Sequence, residues 1–261
     1  DLEIINKSLL HQINEREYAE NQLKEFISTI SHELRTPISV LIMSIEYINK
    51  YKHKLTPEVE ETLINGLTRN ISILNELIED ILTLSRFEEN EIKLNLETCH
   101  PRKIINDVFL LMEPRLKANE IELIVEIDDD IVLVGDKQRM NQIFRIFIDN
   151  SIKYSSKNST IKIKAENNYN GKHNPNGDKG ILFQIIDYGR GIPKEDIPKL
   201  FQRFFRSIDV KDIPGTGLGL SIARELIKLH DGEVFVESEI GKGTIFSIFI
   251  PKKDNYKLIK N

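Results

Sequence analysis

The chain has no tryptophan, a single cysteine and three methionines in 261 residues. One cysteine, Cys99, excludes an internal disulfide framework and any multi-cysteine metal site, and it fits a reducing compartment. No apolar run approaches the roughly 18 residues of a membrane span. Positive charge is not in excess: 36 Lys and Arg stand against 41 Asp and Glu, a formal charge of −5. Such a chain lacks the concentrated basic surface that nucleic-acid binding requires. Glycine and proline are scarce in the first third, where only Gly66, Pro37 and Pro57 occur before Asn90. That stretch has few places to turn, so it reads as helix. What is present suffices for a core: 40% of residues are hydrophobic and 30% charged, which rules out wholesale disorder. At roughly 150 residues per domain the length predicts about two domains. The chain opens on Asp1 without a signal peptide, so it is expected to be a piece of a longer protein, with any membrane attachment lying in parts outside it.

Apolar spacing divides the chain into a helical part and a mixed part. Positions Leu2, Ile5, Leu9, Gln12, Arg16, Ala19, Leu23, Phe26 and Ile30 follow a 3-4 seam with two polar interruptions. This predicts a coiled coil, most simply a parallel dimer, reaching Pro37, which is expected to kink the helix. Thr56 and Pro57 suit the start of a second helix, with apolar residues at Leu63, Leu67, Ile71, Leu74, Leu77, Ile78, Ile81 and Leu84. Tyr51 to Leu55 is then the turn of a hairpin. Each helix has too wide an apolar stripe to stand alone, so two hairpins are expected to pair as a dimeric four-helix bundle.

After Asn90 the period changes. Strands are predicted around Ile92–Leu96, Glu120–Ile127, Ile131–Val134, Thr160–Glu166, Gly180–Ile186, Glu233–Ser238 and Thr244–Ile250. Helices are predicted over Pro101–Asn119, Asp136–Tyr154 and Gly217–His230. The class is α+β: a helical hairpin, then an α/β sandwich with helices on one face of a mixed sheet. Asn167 to Lys179, rich in Asn, Gly and Lys, reads as a flexible hairpin loop without chemistry. The tail from Lys252 is polar and expected to be loose.

Five clusters have the composition of chemistry. Ser31-His32-Glu33-Leu34-Arg35-Thr36-Pro37 puts His32 off the seam, facing water, with Glu33 beside it and Thr36 one turn on. An exposed imidazole is a competent nucleophile near neutral pH. Asp149-Asn150-Ser151-Ile152-Lys153-Tyr154 ends a helix. It offers a neutral oxygen for Mg²⁺ at Asn150, a phosphate contact at Lys153 and a stacking ring at Tyr154. Asp187-Tyr188-Gly189-Arg190-Gly191-Ile192 follows an apolar strand, so an acid that can accept from an exocyclic amine precedes two glycines. Phe201 to Arg206, then Ser207 to Pro214, reads as a lid with Arg206 able to reach a γ-phosphate and Arg203 a weaker candidate. Gly215-Thr216-Gly217-Leu218-Gly219-Leu220 opens a helix and suits a phosphate, although its spacing is not that of a dinucleotide fingerprint. Gly241 to Thr244 reads as a tight turn. Taken singly, each cluster also fits a plain reading as a helix end, a turn or a solvated face.

In this order and at these separations the clusters resemble the boxes of the sensor histidine kinases of two-component systems, over about Lys24 to Pro251. The resemblance implies a signalling helix over residues 1–23, a dimerisation and histidine-phosphotransfer domain over 24–90, an ATP-binding catalytic domain of the GHKL type over 91–252, and a polar tail over 253–261. It implies His32 as phosphoacceptor, Glu33 as the group that orients or deprotonates it, and Asn150 as the Mg²⁺ ligand. Lys153 and Arg206 would contact phosphates, Tyr154 the base, and Asp187 the adenine amino group. Gly189, Gly191 and Ile192 would lie beside the ring. Gly215, Thr216, Gly217, Leu218, Gly219 and Leu220 would serve lid and phosphates, and Thr244 would support the adenine pocket. Implied cofactors are ATP and Mg²⁺. Implied partners are a second copy, through helices spanning residues 1–88, and a response-regulator receiver domain docking near His32. The location implied is cytoplasmic. Thr36 implies a phosphatase activity toward the regulator. The pattern departs at Ile146, where the family commonly carries asparagine. An isoleucine cannot hydrogen-bond, so ATP binding rests on Asn150 and the transfer rate bears the change. Ser151, where the family often has alanine, is a lesser departure.

Two other readings compete. A GHKL ATPase of the gyrase or mismatch-repair kind would lack the hairpin with His32 and Pro37. A non-catalytic scaffold that binds a regulator draws support only from Ile146. His11, His53, His100 and His173 read as bystanders, His230 as a helix end beside its cap, and Cys99 as a small buried residue.

Overall fold

The computed structural model describes residues 2–52, 54–89, 91–174, 176–210, 213 and 215–253. His53, part of the lid (211, 212 and 214) and most of the predicted tail (254–261) therefore lie outside the described residues. The chain divides into two compact units, Asp1–Thr83 and Leu84–Asn261.

The first unit is a helical hairpin. Helix α1 runs from Leu2 to Tyr51, 50 residues without interruption. Of its predicted seam, the side chains of Leu2, Ile5, Leu9, Ala19 and Leu23 lie outside the description, as does that of His11. Pro37 does not end the helix, and its ring is buried. Proline removes one backbone donor, and nearby hydroxyls bond back to the preceding turn: Ser31 Oγ donates to Ile27 O at 2.8 Å and Thr36 Oγ1 to His32 O at 3.3 Å. The turn is tied by Lys54 N donating to Tyr51 O at 2.7 Å. Helix α2, Pro57–Glu88, opens as its sequence predicts, on proline with Glu58 and Glu60 in the first turn, where carboxylates complement the helix dipole. Leu77 is almost wholly buried, whereas Ile64, Ile71 and Ile78, seven residues apart, remain about half exposed.

The second unit is an α/β sandwich. Strands β2 (Glu122–Glu126), β4 (Thr160–Asn167), β5 (Gly180–Asp187), β6 (Glu233–Glu239) and β7 (Gly243–Pro251) form one sheet in the order β2-β4-β5-β7-β6. Only β2 and β4 are parallel, so the sheet is mixed as expected. Helices α3 (Pro101–Ala118), α4 (Lys137–Tyr154) and α5 (Gly219–Leu229) pack side by side, with α4 in the middle. Two ring pairs lock α4 to the sheet: Phe144 meets Phe183 edge-on with centroids 5.2 Å apart, and Phe147 meets Phe246 at 5.0 Å.

Three expectations need correction. Ile92, Leu94 and Leu96 keep their alternating burial, yet residues 91–96 form no ladder; only β1 (Glu97–Cys99) pairs, with β3 (Leu133–Gly135). Alternation reports one covered face, and a strand also needs a neighbouring backbone. The strand expected at Ile131–Val134 is shifted to β3 and belongs to this separate two-stranded sheet. The loop after β4 is folded onto β6, and His173 is a buried residue, not a bystander. Its ring lies 4.8 Å from that of Phe235, and its Nε2 is 3.2 Å from Glu237 Oε1.

His230 lies at the end of α5 as predicted, where it is itself the C-cap, and it is buried as well. Its Nε2 accepts from Asp136 N at 3.1 Å and its Nδ1 lies 2.8 Å from Leu226 O, an arrangement that requires a neutral ring donating from Nδ1. Burial holds its pKa below the usual histidine value. Asp136 in turn caps α4, accepting from Arg139 N at 3.0 Å, and receives Asn95 N at 2.9 Å. Cys99 is buried, and its thiol is pushed up to about 11, chiefly by desolvation.

Candidate nucleotide site and phosphoacceptor helix

Within the second unit, the site grows from the end of β5. Asp187 is buried at the point where β5 pairs with β7, opposite Thr244. Its Oδ1 accepts from Gly189 N at 3.0 Å, its Oδ2 from Ser151 Oγ at 3.4 Å, and the backbone of Thr244 donates to it as well. Burial raises the pKa of this carboxyl above the ordinary aspartate value, while the three donors oppose the rise. A carboxylate held this way has acceptor capacity left for one more donor, such as an exocyclic amine.

The glycines after Asp187 are there because backbone occupies the space a side chain would need. A Cβ on Gly189 would stand 2.4 Å from Tyr154 O, and Arg190 N donates to that same carbonyl at 3.2 Å. Gly191 has φ +73°, and a Cβ there would lie 2.1 Å from Glu239 O. The turn between β6 and β7 thus grips the loop. Gly241 N donates to Arg190 O at 2.8 Å, and Ile192 N donates to Ser238 Oγ at 2.9 Å. Ser238 Oγ also donates to Gly243 O at 2.8 Å and lies 2.9 Å from Thr244 Oγ1. Ser238 therefore organises the pocket, and sequence reading missed it. The only signal was its place opposite Thr244 across two strands. Ser151, read as a lesser change, touches Asp187 directly.

Helix α4 faces the second glycine segment along one stripe. Ile146 stands 3.3 Å from where a Cβ on Gly219 would be, and Lys153 Nζ stands 4.0 Å from the same point on Gly215. Asn150 lies between them, one turn from Ile146 and half-buried. Lys153 Nζ is 2.7 Å from Asp149 Oδ2. Phe204 N donates to Gly217 O at 3.0 Å, with both residues at positive φ, +61° and +69°. Thr216 Oγ1 accepts from Leu218 N at 3.1 Å. Leu218 is fully buried, so its side chain anchors the loop, whereas Leu220 is half-buried. Arg206 is engaged with its own loop, donating to Val210 O at 3.0 Å and to Ile213 O. Tyr154 is half-buried, and its carbonyl is the anchor of the first glycine turn.

The donor set fits a nucleotide with Mg²⁺. Among the described residues, the Lys153 ammonium is the group that comes within 4.0 Å of where a Cβ on Gly215 would stand. Among the described residues no group of three His, Cys, Asp or Glu is placed to cage a metal. A neutral oxygen such as that of Asn150 suits an ion that takes its remaining ligands from phosphates and water.

The first unit carries the other motif. His32 has a side chain 75% exposed on α1, with Nδ1 3.9 Å from Glu33 Oε1. Thr36, one turn on, is exposed. Among the described residues no helix is long and apolar enough to cross a membrane.

An exposed histidine on a helical hairpin, joined to a sandwich with a buried strand-end acid and glycine-lined loops, defines a phosphoacceptor domain followed by a nucleotide-binding domain. Residues 22–90 match the His Kinase A (phospho-acceptor) domain. Residues 135–254 match the histidine kinase-, DNA gyrase B-, and HSP90-like ATPase family. The chain belongs to the two-component sensor histidine kinases. It is 34% identical over 239 residues to the signal transduction histidine-protein kinase ArlS of Staphylococcus aureus, covering 87% of this chain and 49% of ArlS. To the sensor histidine kinase RcsC of Escherichia coli it is 28% identical over 252 residues, covering 95% of this chain and 25% of RcsC. The chain thus spans half or less of these relatives. Among solved structures it resembles the Acinetobacter baumannii histidine kinase AdeS, with TM-score 0.66 and 27% identity over 85% of this chain and 98% of that one. It also resembles the histidine kinase ThkA in complex with the response regulator protein TrrA, with TM-score 0.67 and 26% identity over 91% of this chain and 64% of that one.

Proposed function

We propose that the chain is the catalytic core of a sensor kinase that uses Mg-ATP to phosphorylate His32 and passes the phosphoryl group to an aspartate of a response regulator. The observation that carries this reading is the pairing, in one chain, of a water-facing His32–Glu33 pair with the Asp187 pocket. Glu33 lies toward Nδ1, which leaves Nε2 as the nucleophile and supports the charge that develops on the ring. The Nε2 lone pair attacks the γ-phosphorus, the bond to the β-phosphate oxygen breaks, and ADP leaves. Asp187 accepts from the adenine amino group, and Thr244 and Ser238 support that pocket. Lys153 and the backbone of residues 215–219 receive phosphates, with Arg206 available once it leaves its own loop. Bound at Asn150, Mg²⁺ would neutralise phosphate charge, and the rest of catalysis is positioning.

The domain assignments 1–23, 24–90, 91–252 and 253–261 belong to the same reading, as does a cytoplasmic location. The half-exposed Ile64, Ile71 and Ile78, with Ile38, Ile42 and Ile45 on α1, support a homodimer through the hairpin, since apolar rows of this extent need cover. The complex of ThkA with TrrA supports a response regulator as partner, whose receiver domain would dock near His32 in this reading. Thr36 would hold a water for dephosphorylating the regulator, and its exposure one turn from His32 supports that role. Thr36→Ala that left regulator dephosphorylation unchanged would remove that role.

The test is incubation with γ-labelled ATP and Mg²⁺, wild type beside His32→Gln. The expected label is acid-labile, base-stable and absent from the variant. No label, in protein that binds ATP and dimerises, would refute the kinase reading.

A further inference from the structure

Asp149 adjoins Asn150 on α4 and is buried, its side chain 13% exposed. A buried carboxylate needs compensation, and this one has two cations. Oδ2 is 2.7 Å from Lys153 Nζ, and Oδ1 accepts from Arg115 Nη1, which reaches across from α3. Arg115 lies in none of the motifs of the chain, and its side chain is 47% exposed. The Lys153 ammonium bonded to Asp149 stands 4.0 Å from the Cβ position of Gly215. It has three donors, so Asp149 leaves two for a ligand on the glycine side.

The charge count decides what Lys153 can do. Asp149 with Lys153 alone is a neutral pair, whose field on an approaching anion is that of a dipole. Adding Arg115 makes the cluster +1, with each carboxylate oxygen holding one cation. We propose that Arg115 is a positioning residue for nucleotide binding: it absorbs the charge of Asp149, so that Lys153 stays fixed in direction yet keeps its positive charge for the phosphates. This rests on the reading of Lys153 as a phosphate contact.

Three variants test it: Arg115→Gln, Arg115→Gln with Asp149→Asn, and Lys153→Ala. Each is titrated with ATP, ADP and adenosine in the presence of Mg²⁺. Arg115→Gln should weaken ATP about tenfold, the size expected for one unit charge acting over several ångströms at intermediate dielectric. ADP should weaken less, and adenosine not at all. The double variant removes the buried negative charge as well, returns the cluster to +1, and should bring ATP affinity back to within about twofold of wild type. Salt should weaken ATP binding less steeply in Arg115→Gln than in wild type. Equal loss of ATP and adenosine would mean that Arg115 only holds the fold, and would overturn the proposal. So would failure of the double variant to recover. If Lys153→Ala leaves the ATP-to-adenosine ratio at wild type, the reading of Lys153 falls and the proposal with it. If Lys153→Ala loses the ratio while Arg115→Gln keeps it, Arg115 alone is refuted.

Discussion

Replacing Asp187 with asparagine separates what the carboxylate does for the fold from what it does for the nucleotide. Three donors already converge on it: Gly189 N at 3.0 Å, Ser151 Oγ at 3.4 Å and the Thr244 backbone. The adenine amino group would make a fourth. A carboxylate has about four lone-pair sites, whereas an asparagine has one acceptor oxygen and turns two N–H groups toward the other donors. Ser151 can rotate and accept, so one N–H donor loses its partner. With adenine absent, the amide oxygen serves the backbone donors and the relief of a buried charge offsets the remainder. With adenine present, the bond to a charged group is gone, a loss of about 1.5–3 kcal/mol, or roughly 10- to 150-fold in ATP affinity. The pH dependence follows from the raised pKa. A carboxyl whose folded pKa lies above its unfolded value supports the fold fully below the unfolded value, 3.8 in ordinary aspartate, and loses that support as pH rises through the folded value. Above the folded value, wild type carries a buried charge that the variant lacks. Calorimetric titration with Mg-ATP and thermal unfolding of the free protein at pH 7 check both halves. An Asp187→Asn protein that keeps wild-type ATP affinity, or that unfolds far earlier without nucleotide, would refute the reasoning.

Three further outcomes are expected. Gly191→Ala puts a side chain at φ +73° and 2.1 Å from Glu239 O, so it should cost about 2 kcal/mol or more, seen as an earlier thermal transition of the sandwich. His230 is held neutral by burial below its ordinary 6.5, so its contribution to stability is whole above that value and is lost as pH falls through 6.5 toward the folded value. A His230→Gln variant should be less stable at pH 7.5 and should lack that part of the acid dependence in denaturant titrations. Ile71→Glu with Ile78→Glu places charge on the half-exposed row of α2 and should turn the proposed dimer into monomer by sedimentation velocity, whereas Glu76→Lys on the same helix should not.

Much of the fold could be read because its signals are local. Helix α2 begins at Pro57, where proline loses no hydrogen bond, and α4 begins after Asp136, whose side chain caps Arg139 N. The strands of the main sheet follow from apolar runs of the right length between turn residues. Helix α1 runs through Pro37 to the turn after Tyr51 as expected, but the burial of the Pro37 ring was less legible, because a proline's local penalty says nothing of the packing around it. Residues 91–96 show the same limit from the other side: the alternation is present and the partner strand is not.

The site divides in the same way. Residue type and order were enough to single out His32, Asn150, Lys153, Asp187 and the glycines, because each needs a chemistry or a backbone freedom that few residues supply. Gly189 and Gly191 stand where the carbonyls of Tyr154 and Glu239 leave no room for a Cβ. Sequence order also set out the plan of a phosphoacceptor helix followed by a nucleotide pocket. Only the tertiary structure brought Ser238 to Ile192 N, set His173 of the loop after β4 against Phe235, turned Arg206 to its own loop, and set Arg115 against Asp149. These contacts join residues far apart in the chain or depend on which way a long side chain turns. No periodicity encodes them, since hydrogen bonds and ion pairs act over a few ångströms of space and not along the sequence.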